Sequence, residues 1–242
     1  MKLLAMDTTA KVSSVALLSE EKVLAEYTVN LSFTHSQTVM PMCENLLACC
    51  QIPLEDIDAF AVSTGPGSFT GLRIGLSAVK GMAYTLNKPC ISVSTLDALG
   101  RNTVGFDGIV CCVMDARCKQ VYNALYQSTP DGTLEKLTED RALLLDELAE
   151  ELKSQKKNII LVGDGADLCY NEYKEHIPNL QLAPIHNRYQ RASSVGLAAL
   201  DKWKSGDTLS ASDIIPHYLR LPQAERERKR QQEQQKAHAS AQ

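Results

Sequence analysis

No run of apolar residues in this chain approaches the 18 or so that a membrane span requires, and only Leu3 to Met6 forms an apolar stretch ahead of Asp7. The expected location is therefore the cytoplasm, with no membrane partner. An excess of positive charge is also missing: 25 basic side chains face 29 acidic ones, which argues against a body built as a general polyanion-binding surface. Cys-x-x-Cys spacing is absent from the eight cysteines, two pairs of which are adjacent (Cys49-Cys50 and Cys111-Cys112); they read as reduced, mostly buried thiols. The five histidines show neither His-x-x-x-His nor His-Glu-x-x-His, which removes the common helical metal site, and no metal is expected.

What is present is a glycine-rich run, Gly65-Pro66-Gly67-Ser68-Phe69-Thr70-Gly71-Leu72-Arg73-Ile74-Gly75, between an apolar strand at Ala59 to Ser63 and a helix reaching about Asn87. Such a turn can cradle an anion on backbone N–H groups, and glycines inside the helix let another element approach closely. Familiar catalytic patterns do not fit it. Leu72 and Arg73 stand where a Walker A loop needs Lys and Ser/Thr, the spacing is G-x-G-x-x-x-G and far from the first strand, and Ser68 lacks the G-x-S-x-G frame, so its expected job is to cap the helix. Gly71, Gly75, Ala78 and Met82 make a stripe of small residues ending in an adaptable one. Since glycine costs about 1 kcal/mol per helix position relative to alanine, the stripe implies a specific neighbour. That neighbour is either the Met40, Cys43, Leu47 and Cys50 face of the preceding helix or another protein.

Along the chain, Lys2 to Met6, Ser14 to Leu18 and Val23 to Val29 read as three strands. Thr34 is a cap candidate for a helix over 35–50, with Pro41 in its first turns. Cys90 to Val93 reads as a strand and Thr95 to Asn102 as a helix. A second unit then opens with the strand Ile109 to Met114, whose Met114-Asp115 repeats Met6-Asp7 after 108 positions; Ala124-Leu125 falls on Ala16-Leu17 at the same offset. A duplicated β-hairpin leaves this trace. With helices at Leu144 to Leu152 and Ala192 to Lys204, a strand at Asn158 to Val162 and a turn at Gly163-Asp164-Gly165, the chain reads as an α/β protein of two similar lobes. Residues 1–103 form the expected first lobe and 104–221 the second. Residues 222–242, rich in Gln, Glu, Lys and Arg, read as a solvated helix or disordered tail. Asp7 and Asp115, at strand ends beside polar turns, either hold a cation or water near phosphates or cap their own turns.

Taken together, Leu4-Ala5-Met6-Asp7-Thr8-Thr9, His35-Ser36-Gln37, the Gly65 to Gly75 run, Val93-Ser94-Thr95-Leu96, Met114-Asp115-Ala116-Arg117 and Pro216-His217-Tyr218-Leu219-Arg220 resemble the TsaB (YeaZ) family over residues 1 to about 221. The resemblance implies a two-lobed actin, Hsp70 and sugar-kinase (ASKHA) fold with duplicated ribonuclease-H-like lobes, the second reduced. It implies a noncatalytic scaffold for making N6-threonylcarbamoyladenosine at position 37 of tRNAs that read codons starting with A. The scaffold would pair with the catalytic relative TsaD, require the ATPase TsaE and meet tRNA through the complex.

On this resemblance Asp7, Thr8, Asp115, Gly163 and Gly165 mark vestigial nucleotide loops. His35, Val39, Met42, Cys43, Leu46, Leu47, Gly71, Leu72, Gly75, Ala78 and Met82 are the expected partner interface. No cofactor of its own is expected; ATP or ADP belongs at a composite interface with TsaD. The His-x-Glu-x-His metal motif of TsaD is replaced here by Thr95-Leu96-Asp97-Ala98-Leu99, residues that hold iron or zinc poorly. An active ASKHA-type kinase or ATPase is the alternative reading, and a homodimer through the same helices is open.

Overall fold

The computed structural model describes residues 1–31 and 33–220; the tail expected at 222–242 lies outside the described residues. A five-stranded sheet is built from β1 (Lys2–Asp7), β2 (Ser13–Ser19), β3 (Val23–Val29), β4 (Ala59–Gly65) and β5 (Cys90–Ser94), in the order β3-β2-β1-β4-β5. The first three strands pair antiparallel as a meander, and β4 and β5 join in parallel. A second sheet repeats the plan with β6 (Gly108–Asp115), β7 (Gln120–Ser128), β8 (Leu134–Lys136), β9 (Arg141–Leu144), β10 (Ile159–Val162) and β11 (Leu180–Leu182). There β6 pairs antiparallel with β7 and parallel with β10, which pairs parallel with β11. Asp7 and Asp115 end the equivalent strands β1 and β6. Two ribonuclease-H-like lobes of one ASKHA fold follow from this shared topology.

The helices show where the second lobe is reduced. In the first lobe α1 (His35–Cys50) and α2 (Phe69–Leu86) are 16 and 18 residues long; their counterparts α4 (Leu145–Lys153) and α5 (Ala166–Tyr173) have 9 and 8. Helix α2 starts where Ser68 accepts the Gly71 N–H (3.3 Å) and stops at Asn87 in the left-handed region. The expected Thr34 cap makes no side-chain bond, and Pro41 is carried inside α1. Strands β8, β9 and β11 are too short, at three or four residues, to show a periodicity in sequence.

Both faces of the first sheet are buried, and this corrects the expected lobe boundary. Leu4, Met6, Leu17, Phe60 and Val62 point toward α1 and α2. Alternate residues Leu3, Ala5, Leu18, Ala61 and Ile91 point the other way, where α6 (Ala192–Lys204) covers them with Ala192, Val195, Ala199 and Leu200. Since α1 and α2 already occupy one face, the last helix returns to cover the other. Gly196 permits it: a Cβ there would lie 2.3 Å from Leu18 Cδ1. The chain after α6 stays with the first lobe, since Leu209 bridges to Cys90 and Ile214 enters the α1–α2 core. Residues 192–220 thus belong with 1–103 rather than with the second lobe.

The lobes also share a core. Helix α3 (Thr95–Arg101) sends Leu96 and Leu99 into the second sheet among Val110, Cys112, Met114, Tyr126 and Val162. Of the cysteines, Cys43, Cys90, Cys111, Cys112 and Cys169 are buried thiols, and all eight are free. Burial pushes Cys43 up to about 12 and Cys90 up to about 11, so neither supplies a thiolate at neutral pH.

Truncation after Arg191 should remove burial worth on the order of 5 kcal/mol or more, comparable to the stability of a whole domain. Residues 1–191 are expected to show no cooperative thermal transition by circular dichroism. A sharp transition near that of the intact chain would mean the first lobe stands without α6.

Candidate functional site

At the end of β1, Asp7 is 1% exposed. Its Oδ1 accepts the Thr9 N–H (2.9 Å) and hydroxyl (2.8 Å), and its Oδ2 accepts the Ser63 hydroxyl (2.6 Å). Burial raises its pKa, and these three bonds work in the opposite direction. Of the two sequence readings of Asp7, the turn cap is the one whose bonds are present: Thr9 donates twice to it and Ser63 once. Thr8 follows suit: its hydroxyl donates to the Gly71 carbonyl (2.7 Å).

The partner face expected from sequence needs correction for the same reason. A Cβ at Gly71 would stand 2.0 Å from the Thr8 carbonyl oxygen, and one at Gly75 would stand 2.4 Å from Thr8 Oγ1. These glycines exist to let α2 rest on the β1–β2 turn. Val39, Met42, Cys43, Leu46, Leu47 and Met82 are buried in the core between the helices and the sheet, and Leu72 is buried as well. The His35 ring is half-buried, donating from Nε2 to the Ala10 carbonyl (2.7 Å) and accepting the Ser13 hydroxyl at Nδ1 (3.1 Å). Only Ala78 of the named residues stays partly open on the outer surface, with Val39 forming floor beneath it.

That outer surface is a groove of 600 Å³ between α1 and α2, walled by Ser36, Met40, Thr70, Arg73, Ile74 and Ser77. Met40 is 45% exposed, and Tyr84, farther along α2, is 79% exposed. Also on α2, Gly81 has nothing within 4 Å of where its Cβ would be. The glycine that leaves room for a neighbour is therefore Gly81, which lacked any distinguishing signal beyond its place one turn past Ser77.

A second concavity, of 740 Å³, opens between the lobes. Asp115 is exposed there and accepts the Arg117 N–H at Oδ1 (2.7 Å). Asp164, missed among the site residues although it lies between Gly163 and Gly165, lines the same cleft and accepts the Gln190 side-chain amide (3.1 Å). Burial, with Asp115 and Asp7 nearby, pushes its carboxyl up to about 6. Gly163 (φ 114°) and Gly165 are needed because Cβ atoms there would meet the Val113 and Met114 backbone at 2.0 and 3.0 Å. The three expected nucleotide turns do converge, but Asp7 is sealed beneath the cleft rather than facing into it. Lys11, Arg117 and Arg220 add positive charge at the cleft walls.

At the position of the relative's metal motif, Asp97 accepts the Tyr126 hydroxyl (2.6 Å) and pairs with Lys136 (2.8 Å), which also reaches Asp140 (2.7 Å). Among the described residues no group of three or more His, Cys, Asp or Glu side chains converges as a metal site would.

A family model described as TsaD, tRNA N6-adenosine threonylcarbamoyltransferase, matches residues 23–228. The chain is 35% identical to the tRNA threonylcarbamoyladenosine biosynthesis protein TsaB of Bacillus subtilis (strain 168), over 93% of this chain and 96% of that one. The chain belongs to the TsaB family. It is also 36% identical to the TsaB of Escherichia coli (strain K12), over 91% of this chain and 95% of the other. The solved structure of YeaZ from Pseudomonas aeruginosa aligns with a TM-score of 0.72 at 26% identity, covering 90% of this chain and 99% of that one.

Two substitutions in one helix separate the inward from the outward glycine. Gly71→Ala should destabilise the chain by about 3 kcal/mol, because the obstructing atom is backbone. Gly81→Ala should stabilise it by about 0.5–1 kcal/mol. Urea unfolding of the two variants checks both signs.

The cleft carboxyl has a pH signature. With its folded pKa raised above the usual 3.8, Asp164 contributes stability that is fully present below about pH 4 and lost as pH rises through about 6. The stability of wild type relative to Asp164→Asn should fall by about 2 kcal/mol between pH 3.5 and 7.5. A difference that is flat over this range in denaturant titrations would refute the shift.

Proposed function

We propose that this chain is a noncatalytic activating subunit for threonylcarbamoyl transfer to N6 of adenosine 37 in tRNA, acting by pairing its α1–α2 groove with the corresponding helices of a TsaD-type catalytic subunit. The observation that carries the reading is the open groove itself: apolar floor, small residues at Ser77 and Ala78, and exposed Met40 at its side. Helix pairs with small residues at the contact approach closely and bury the larger side chains that flank them. A partner descended from the same fold would present a similar helix pair, which suits a packing related by a pseudo-twofold axis. The family relation to TsaD supports this choice of occupant.

The role is structural in this reading. Asp7 is buried and holds Thr9 and Ser63, and Asp97 is tied to Lys136 and Tyr126, arrangements that suit a structural role for both. Pairing would hold the catalytic subunit in its competent shape by binding that shape more tightly than others. The ATPase TsaE and tRNA would join the assembled pair. ATP or ADP is assigned to the composite interface with the catalytic subunit and not to this chain alone. No helix among the described residues is long and apolar enough to cross a membrane, and the proposed place of action is the cytoplasm with the tRNA pool. A homodimer through the groove competes for the same surface and would give way to the heterodimer.

Met40→Glu and Ser77→Arg change exposed groove residues without touching the core. Each should weaken binding to the TsaD-type subunit by about thirtyfold or more in isothermal titration calorimetry, with the far-UV circular dichroism of the free chain unchanged. Undiminished affinity in both variants would sink the groove as the interface. Gly75 and Met82 are unsuitable positions for this test because their burial makes any charge there a folding defect.

A further inference from the structure

After α6 the chain runs along the first lobe, and a side chain at its far end reaches the second. Ile214 is buried in the α1–α2 core. The His217 N–H donates to the Thr64 carbonyl at the end of β4 (2.6 Å), and the His217 carbonyl lies so near Gly65 that a Cβ there would come within 2.3 Å of it. Tyr218 packs its ring on Phe69, with centroids 5.0 Å apart, and its hydroxyl accepts the Arg73 Nε–H (3.1 Å). Arg73 in turn lies over the Phe69 ring at 3.9 Å. Two residues later Arg220 reaches across the cleft and donates from Nη1 to the Ala116 carbonyl (2.9 Å). Ala116 sits in the β6–β7 turn, which the Ala116 N–H closes on the Gln120 carbonyl (3.0 Å).

We infer that residues 214–220 form a coupling strap that ties the first turn of α2 to the β6–β7 turn of the second lobe. Its position gives it that role. Phe69 is a wall shared by the groove and the cleft, and Arg73 lines the groove while bonding to the strap. A change in Arg73 or Phe69 moves Tyr218, and only one residue separates Tyr218 from Arg220. The turn at the far end holds Arg117, Cys118 and Lys119 at φ of 60°, 54° and 56°, a left-handed run that side chains disfavour. Such a run persists only where surrounding bonds brace it, so each hydrogen bond to the turn counts toward its stability. Coupling of this kind is reciprocal: what steadies one end steadies the other by the same factor.

The strap belongs to the chain alone, so its test needs no partner; only its consequence, that occupancy of the groove is felt in the cleft, rests on the reading given above. Amide hydrogen exchange of the intact protein at Leu72, which reports the first turn of α2, and at Ala116 and Gln120, which report the second-lobe turn, measures both ends. Arg73→Ala should speed exchange at Ala116 and Gln120 by about fivefold, and Arg220→Ala should speed Leu72 by the same factor. The double variant should add little at either end, Tyr218→Phe should reproduce part of the Arg73→Ala effect, and Arg220→Lys, which keeps a donor, should restore near-native rates. If each arginine variant affects only its own end, or if the amides of β10 speed up to the same extent as those at the strap, the coupling strap is overturned. Either of those results leaves the groove reading standing, and a failure of Met40→Glu to weaken assembly leaves the strap standing.

Discussion

The first lobe depends on one close approach, that of the β1–β2 turn to the opening turns of α2. The Thr8 carbonyl takes the space that a side chain at Gly71 would need, and the Thr8 hydroxyl bonds to the Gly71 carbonyl. This contact sets the height of α2 above the sheet. That height fixes how deep the groove beside α1 is, where Phe69 stands between groove and cleft, and how Arg73 meets the strap. Asp7 serves the same contact from below by holding Thr9 and Ser63. A carboxylate that an active member of such a fold would turn toward phosphate is here part of the foundation for a helix.

The sequence made the plan of the sheets legible because strands carry their signal locally. The Met6-Asp7 and Met114-Asp115 pair, with Ala16-Leu17 and Ala124-Leu125, marked the duplicated hairpin, although β1 and β6 run one residue out of phase: Met6 faces α1 and α2, whereas Met114 faces α3. The direction in which a glycine faces is not local. Gly71, Gly75 and Gly81 lie on one helix with similar neighbours in sequence, and only the position of Thr8, more than sixty residues away, decides that the first two face inward. The lobe boundary failed for a related reason. Nothing in Ala192 to Lys204 states which sheet it covers; the answer lies in the small residues Ala5, Ala16, Ala59 and Ala61, which leave the far face of the first sheet shallow enough for a helix containing Gly196.

Three aspartates near the cleft between the lobes have three different environments. Asp7 is sealed and fully bonded, Asp115 is exposed and satisfied by its own turn, and Asp164 lies between, with one amide partner and a pKa pushed up by burial. A nucleotide-binding cleft needs its carboxylates to act together around one metal–phosphate group. Here the three sit in different environments, although Asp115 and Asp7 are near enough to Asp164 to help raise its pKa. Asp97, at the place of the relative's metal motif, pairs with Lys136, which also reaches Asp140.

Hinge motion between lobes is the usual currency of this fold, since closure around a ligand is how its enzymes exclude water. In this chain the lobes share the core around Leu96 and Leu99, the Asp97–Lys136–Asp140 network joins α3 to the second sheet, and the strap reaches from α2 to Ala116. Ties spread over that many elements make wide opening expensive, because each would have to give up bonds without a compensating ligand. A subunit whose task is to present a fixed surface loses nothing by this. Rigidity lowers the ordering cost of assembly, so more of the contact free energy in the groove is available for affinity. Under the proposed role, the ties that restrain motion between the lobes would also suit the chain to hold another protein in shape.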